Sequence, residues 1–222
     1  MISGVILDMD GTMFDTEKIG LEVYKEMLKE EGLSVDDAFM FSLFSIKKEI
    51  YYERMEERFG KYMDIYEFIS RCGERFIKAV YERGIPKKKG LDELLTYLFE
   101  NKYKISIASS SESDKVLDFI GYHSLDKYFD SIVTGDDITD YKPSPDIYIK
   151  AAKELGLDTR KCLAVEDSLN GIKSAKAAGC FSVLVPDIDK NSKELVETAD
   201  CVIDDLSQVI DILTSKNSYQ IN

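Results

Sequence analysis

From Leu91 onward, short apolar runs alternate with stretches of helical periodicity, and this alternation limits the possible folds more than any other feature. Leu91–Asn101 has helical spacing, and the strand-like run Tyr103–Ala108 follows it and ends in Ser109-Ser110-Ser111. Ser113–Gly121 is again helical, and Ser131–Thr134 is a short strand ending in Gly135-Asp136-Asp137. Pro145–Leu155 reads as a helix closed by Gly156, Cys162–Val165 as a strand ending in Glu166-Asp167, and Gly171–Ala178 as a helix closed by Gly179. Phe181–Val185, Cys201–Ile203 and a last helix near Leu206–Leu213 complete the series. Strands joined by helices of this length need right-handed crossovers, so they line up in a parallel, Rossmann-like α/β sheet. The polar tail Thr214–Asn222 is expected to be loose.

One further strand opens the chain. Gly4–Leu7 is a short apolar run bounded at once by acid and glycine, as a buried strand is. No helix of the later series follows it directly. Glu17 to Arg83 is helical throughout, with Leu21, Tyr24, Met27 and Leu28 at helix spacing before Gly32, then helices over about Ile46–Phe59 and Asp64–Tyr81. Gly84-Ile85-Pro86 and Lys87-Lys88-Lys89-Gly90 read as a linker. The organisation expected is therefore an α/β core domain of residues 1–16 plus 85–222, with an all-helical domain of residues 17–84 inserted after the first strand. A chain of 222 residues is long enough for both.

Composition removes several function classes. With 42 acidic against 29 basic residues the net charge is −13, so nucleic acid and anionic membrane are not expected as partners, since both need a basic face. No apolar stretch approaches the ~20 residues of a membrane span, and Asp8 interrupts the first apolar run too early for a signal peptide. Cys72, Cys162, Cys180 and Cys201 are scattered, without metal-ligand spacing, and read as reduced, mostly buried thiols of a cytoplasmic protein. His123 is the sole histidine, which argues against polyhistidine zinc sites and Ser-His-Asp chemistry. A monomer is expected.

In an open parallel sheet, ligands bind beyond the carboxyl ends of the strands. The polar residues fall there. The first strand runs into Asp8-Met9-Asp10-Gly11-Thr12, where acids at i and i+2 of an extended chain point to one side. Two carboxylates so placed repel unless a cation or proton lies between them, and their oxygens suit Mg²⁺. Gly11 permits positive φ or a close backbone approach to an anion. The next strand ends in Ser109, the loop after the third leads to Lys142, and the fourth ends in Glu166-Asp167. Taken singly, each has a plainer reading: a polar turn for the acid pair, a helix N-cap for Ser109 or Glu166-Asp167, a surface lysine for Lys142. Asp136 and Asp137 read equally as support for a metal loop or as an acidic turn. Lys87-Lys88-Lys89 reads as a solvated linker face, and His123 as structural or exposed.

Asp8-Met9-Asp10-Gly11-Thr12, Ser109, Lys142-Pro143 and Glu166-Asp167-Ser168-Leu169-Asn170-Gly171 together resemble the four motifs of the haloacid dehalogenase superfamily, and the helical insertion falls where that superfamily carries its cap domain. The nearest subgroup is the β-phosphoglucomutase-like and phosphatase-like one. The resemblance implies a catalytic set of Asp8 (nucleophile forming an aspartyl-phosphate), Asp10 (general acid and base), Ser109 and Lys142. It implies phosphate binding by Ser109, Ser110 and Lys142 with the backbone of Met9, and Mg²⁺ held by Asp8, the Asp10 carbonyl and Asp167, with Glu166 in support. The substrate implied is a small phosphorylated metabolite resembling a sugar phosphate.

Phosphatase and mutase are both open on these motifs. Gly20 stands where the β-phosphoglucomutases carry a cap histidine, and Glu112 where they carry a lysine. An acid at 112 repels a second phosphate, so both departures favour transfer to water. Tyr141 replaces a small residue and narrows the pocket; Lys47 and Lys48 are candidate cap cations or plain helix surface. A phosphorylated receiver module and a catalytically silent binding protein are further readings; against the first, receivers are shorter and lack a helical insert, and against the second every expected catalytic position is filled.

Overall fold

The computed structural model describes residues 1–43, 46, 48–188 and 192–218. All four residues of β1 (Gly4–Leu7) are buried, as an apolar run without polar alternation requires in a strand covered on both faces. It pairs in parallel with β2 (Lys104–Ala108) on one side and with β4 (Cys162–Glu166) on the other. With β3 (Ser131–Val133), β5 (Phe181–Leu184) and β6 (Cys201–Val202) these form a six-stranded parallel sheet of order β3-β2-β1-β4-β5-β6. Strand order reverses direction at β1, so the crevice beyond its carboxyl end is where this topology opens a ligand site.

Alternation along β1 divides the core between two faces. Ile6 joins Ala108 and Ala164 against Ile147, Tyr148 and Ala151 of α7 (Asp146–Glu154) and Ala175 of α8 (Leu169–Ala178). Val5 and Leu7 face the other way. There they join the cluster of Leu91, Leu94, Leu95 and Leu98 of α5 (Leu91–Glu100) and Val116 and Phe119 of α6 (Ser113–Tyr122).

Between β1 and α5 the chain forms four helices: α1 (Glu17–Glu30), α2 (Asp37–Phe41), α3 (Lys48–Phe59) and α4 (Ile65–Glu82). Buried Ile19, Val23, Met27 and Leu28 of α1 meet buried Phe68, Cys72 and Val80 of α4. The connections out of and back into the sheet run side by side: Asp15 N–H donates to Pro86 O at 2.8 Å and Lys88 N–H to Met13 O at 2.9 Å. His123 braces both, stacking on Phe14 at 5.7 Å and hydrogen-bonding Ile85 O at 2.7 Å through Nε2, which gives it a structural role. The three linker lysines are each engaged, Lys87 with Asp92, Lys88 with Asp187 and Lys89 with Asp205, and form no open basic patch.

Three elements depart from the sequence expectation. Helix α2 is five residues long, too short to show periodicity, and is started by Asp36, whose carboxylate accepts from Phe39 N–H. Helix α9 (Lys193–Thr198) buries only Leu195 and is started in the same way by Ser192. The tail is helical up to Ser218 rather than loose from Thr214, as part of α10 (Val209–Ser218). Val209 and Leu213 dock it in the core, and a nucleated helix extends at little cost. Residues 219–222 of that expected tail lie outside the described residues.

Candidate active site

Asp8 follows β1, Ser109 follows β2, and Glu166 ends β4, so three adjacent strands deliver side chains to one crevice. Lys142 arrives from the loop after β3. Its Nζ, buried to 1% side-chain exposure, donates to Asp8 Oδ1 and Glu166 Oε1 at 2.5 Å each and to Ala108 O at 3.2 Å. Tyr148 OH donates to the same Glu166 oxygen at 2.7 Å. Burial alone lowers a lysine pKa, yet the charges of Asp8 and Glu166 more than offset it and hold Lys142 above its usual range. The surface-lysine reading is thereby excluded.

Asp167 completes the pocket. One carboxylate oxygen each of Asp8, Glu166 and Asp167 lie within 4.8 Å of one another, a donor set of the kind that holds a hard divalent cation. Against these three acids Lys142 supplies one positive charge. Burial, then repulsion from Glu166, pushes Asp8 up to about 7 despite Lys142. Burial, with Asp8 and Glu166 after it, drives Asp167 well above the usual carboxylate range. This unbalanced negative charge fits the residues to a divalent cation. Gly11 is required here: at φ +79° a Cβ would stand 2.1 Å from Asp167 Oδ2. Gly171 is equally constrained, since its Cβ would fall 1.9 Å from the Glu166 carboxyl carbon. Ser168, not Glu166-Asp167, caps α8 by accepting from Gly171 N–H.

Asp10 is turned away from this triad. Its Oδ1 accepts from Thr16 Oγ1 at 2.7 Å and from Lys115 Nζ at 2.9 Å; Oδ2 accepts from Ser111 Oγ at 2.7 Å and from Lys115 at 2.8 Å. Burial works to raise its pKa, but the Lys115 charge and these bonds prevail and hold it below the usual range. Both side-chain oxygens of Asp10 are thus engaged by Thr16, Ser111 and Lys115. Ser109 is buried and accepts from Ser111 N–H, and Ser110 Oγ is buried with no hydrogen-bond partner among the described residues. The Met9 side chain is fully buried in the core, leaving its backbone to the site.

Two cavities meet over these groups. One of about 310 Å³ is lined by Asp8, Asp10, Gly20, Tyr24, Phe76 and Ser109–Ser111. The other, of about 630 Å³, reaches Lys142 and Asp167 from Phe41, Ile50 and Arg54 of the helical block and from Tyr141 and Leu169. Glu17 borders both, and burial followed by repulsion from Asp10 pushes it up to about 8. Glu112 pairs with Lys48 of α3 at 3.3 Å across the gap between sheet and helical block, and Lys47 lies outside the described residues. Asp137 closes a capping box with Thr134, and Asp136 accepts from Ser113 N–H, so the acidic-turn reading holds for both.

Sequence reasoning missed Lys115, Glu17, Tyr148 and Thr12. Lys115 lies on the first turn of α6, whose start at Ser113 just after the serine run brings its Nζ back to Ser111 Oγ at 3.2 Å. Thr12 Oγ1 donates to Asp167 Oδ1 at 3.3 Å, and its place beside Gly11 was its signal.

Residues 5–185 match the family described as haloacid dehalogenase-like hydrolase. The chain belongs to that family. It is 35% identical over 84% of its length to YhcW of Bacillus subtilis (strain 168), a protein of the same coverage whose name carries a provisional phosphatase assignment. The phosphorylated carbohydrates phosphatase of Thermotoga maritima is 27% identical, over 80% of this chain and 82% of that one. Among solved structures, β-phosphoglucomutase of Clostridium difficile superposes over the whole of both chains with a TM-score of 0.81 at 23% identity, a likeness of fold. Among the described residues of this family member, no helix is long and apolar enough to cross a membrane.

Proposed function

We propose that the chain is a Mg²⁺-dependent phosphatase that hydrolyses a small phosphorylated metabolite of the sugar-phosphate type through an aspartyl-phosphate on Asp8. The observation that carries this reading is the buried Lys142 ammonium bonded to Asp8 and Glu166 beside Asp167, because it joins a carboxylate nucleophile, a cation and a metal-type donor set in one crevice. Asp8, Asp167 and the Asp10 carbonyl would hold Mg²⁺, with Glu166 in support; when bound, the ion offsets charge on the phosphoryl oxygens. Ser109, the unpartnered Ser110 hydroxyl, Lys142 and the backbone N–H groups of Met9 and Asp10 bind those oxygens. Asp8 attacks phosphorus, the ester P–O bond breaks, and Asp10 provides the proton for the leaving oxygen. Water then attacks the phosphoryl group, its proton passes to Asp10, and the electron pair of the breaking P–O bond returns to Asp8.

The domain division at residues 17 and 84 belongs to this proposal, with the helical insert acting as a cap hinged near Thr16–Lys18 and Gly84–Gly90. One chain supplies every group named, so a monomer in the cytoplasm suffices. The mutase alternative draws support from the β-phosphoglucomutase fold. Against it, Gly20 offers no side chain and Glu112 is neutralised by Lys48, where a second phosphate would need cations.

The test is Mg²⁺-dependent phosphate release across sugar phosphates, phosphoglycolate and nucleotides, with β-glucose 1-phosphate followed separately for isomer formation. Release from one or a few esters supports the phosphatase. Glucose 6-phosphate formation with little release overturns it in favour of the mutase, and silence on both overturns the catalytic reading.

A thermal signature follows from the acids. Asp8, Asp167 and Glu17 all prefer their protons more in the folded chain than in the unfolded one. Their contribution is thus fully present below about pH 4; that of Asp8 and Glu17 is lost as pH rises through about 7 to 8, and that of Asp167 likewise goes as pH rises. A cation bound there takes the place of those protons. Stabilisation by Mg²⁺ should therefore be slight near pH 5 and reach about 1–2 kcal/mol, or about 2–8 °C in Tm, near pH 8. Calorimetry at both pH values checks this; a Tm increment equal at the two would contradict it.

A further inference from the structure

The Lys115 ammonium is the one cation touching Asp10 among the described residues, and nothing in the reaction outlined above uses it. It bonds both Asp10 oxygens and, at 3.2 Å, Ser111 Oγ. It also lies 5.3 Å from the ring of Phe76 on α4 and 5.5 Å from that of Phe119 on α6, so aromatic rings of the helical block and of the core both border it. With a quarter of its side chain exposed, it borders the smaller cavity together with Asp8, Asp10 and Ser109.

The four hydrogen bonds on Asp10 are of two kinds. Those from Thr16 and Ser111 come from hydroxyls, which can turn from donating to accepting when the carboxyl takes up a proton. Those from Lys115 run one way, because an ammonium has no lone pair to offer. The hydroxyls can thus accommodate a proton on Asp10, while Lys115 fixes the plane of the carboxylate whether or not the proton is there. We propose that Lys115 is the positioning residue that holds the Asp10 carboxylate in the orientation from which it accepts the proton of the attacking water. This rests on the phosphatase reading and on Asp10 as its base. In the step concerned, water oxygen bonds to phosphorus, the P–O bond to Asp8 breaks with its electron pair returning to Asp8, and the water proton goes to Asp10.

The experiment uses 4-nitrophenyl phosphate, whose leaving group departs without needing a proton, so that only the second half-reaction depends on the orientation of Asp10. Lys115→Met should lower kcat about 10- to 100-fold, less than the about 10²–10⁴-fold that a positioned proton transfer supplies, because Asp10 itself remains. KM should fall or stay level, and a burst of 4-nitrophenolate matching the enzyme concentration should precede the slow steady state, as phosphoenzyme accumulates. Lys115→Arg, which keeps the charge and can reach both Asp10 oxygens through its guanidinium fork, should recover most of kcat and abolish the burst. A raised KM at unchanged kcat would make Lys115 a substrate ligand instead and overturn the proposal, as would wild-type kinetics in Lys115→Met. Wild-type protein without turnover dependent on Asp8 would bring down the phosphatase reading and this inference together; wild-type turnover with an indifferent Lys115 brings down the inference alone.

Discussion

Asp8→Asn should abolish phosphate release, by at least about 10³-fold, while leaving the fold intact. The effect is large because a carboxamide is not nucleophilic, and neither Glu166 nor Asp167 can take over: Glu166 is bonded to Lys142, Tyr148 and Ser168, and Asp167 to Thr12. A loss of 10³ is about 4 kcal/mol of transition-state stabilisation, within what a covalent route contributes. Stability should move the other way. The asparagine keeps an oxygen for Lys142 and removes one negative charge from a pocket in which repulsion already drives Asp8 and Asp167 upward. Without Mg²⁺ the Tm should be equal to or above that of the wild type, and stabilisation by Mg²⁺ should shrink. Phosphate release and calorimetry on one preparation separate the two effects; activity retained in the variant would refute Asp8 as nucleophile.

The second large effect is on the fold itself. Lys142→Met leaves Asp8 and Glu166 buried without their shared cation. Removing one partner of a buried ion pair costs about 3–5 kcal/mol, because the remaining charge stays desolvated. For a chain of this size that is a Tm fall of about 6–20 °C. The sign with pH is fixed by the carboxyls. Deprived of Lys142 they regain part of the loss by taking up protons, so the deficit should be greatest near pH 8 and smaller near pH 5. Lys142 itself stays charged across that window, since its pKa is raised. A Tm within about 2 °C of wild type near pH 8 would show that the triad is not held together as described.

The sheet was legible in the sequence because each of its strands is an apolar run closed by a polar or glycine signal, and β1 appears in the structure with the bounds read from Gly4–Leu7. Asp8, Ser109, Glu166 and Asp167 were legible because strand ends in a parallel sheet converge, and Lys142 because the loop after β3 leaves from that same edge, so positions far apart in the chain acquire one destination. Lys115 was not, because its role depends on how α6 is turned against Asp10, and helix rotation leaves little trace in a motif. Glu17 was read as the start of a helical stretch. Only its half-buried place between two cavities makes its carboxyl distinctive. Helices α2 and α9, with one buried residue each, fell below the length at which periodicity can be recognised.

The pairing of the two connections beside β1 bears on the order of events during folding. Strands β1 and β2 are neighbours in the sheet, yet the whole helical block lies between them in the chain. Joining them directly would mean closing a long flexible loop, with an entropic penalty that grows with the logarithm of its length. The hydrogen bonds Asp15–Pro86 and Lys88–Met13 hold the two ends of that block together like the base of a hairpin. Once α1 and α4 have packed, the chain left to close shrinks from the whole stretch between Leu7 and Lys104 to the connections on either side of the block and α5. A helical block that assembles early therefore acts as a splint for the central strand pair, and destabilising the α1–α4 contact should slow the refolding of a sheet it does not belong to.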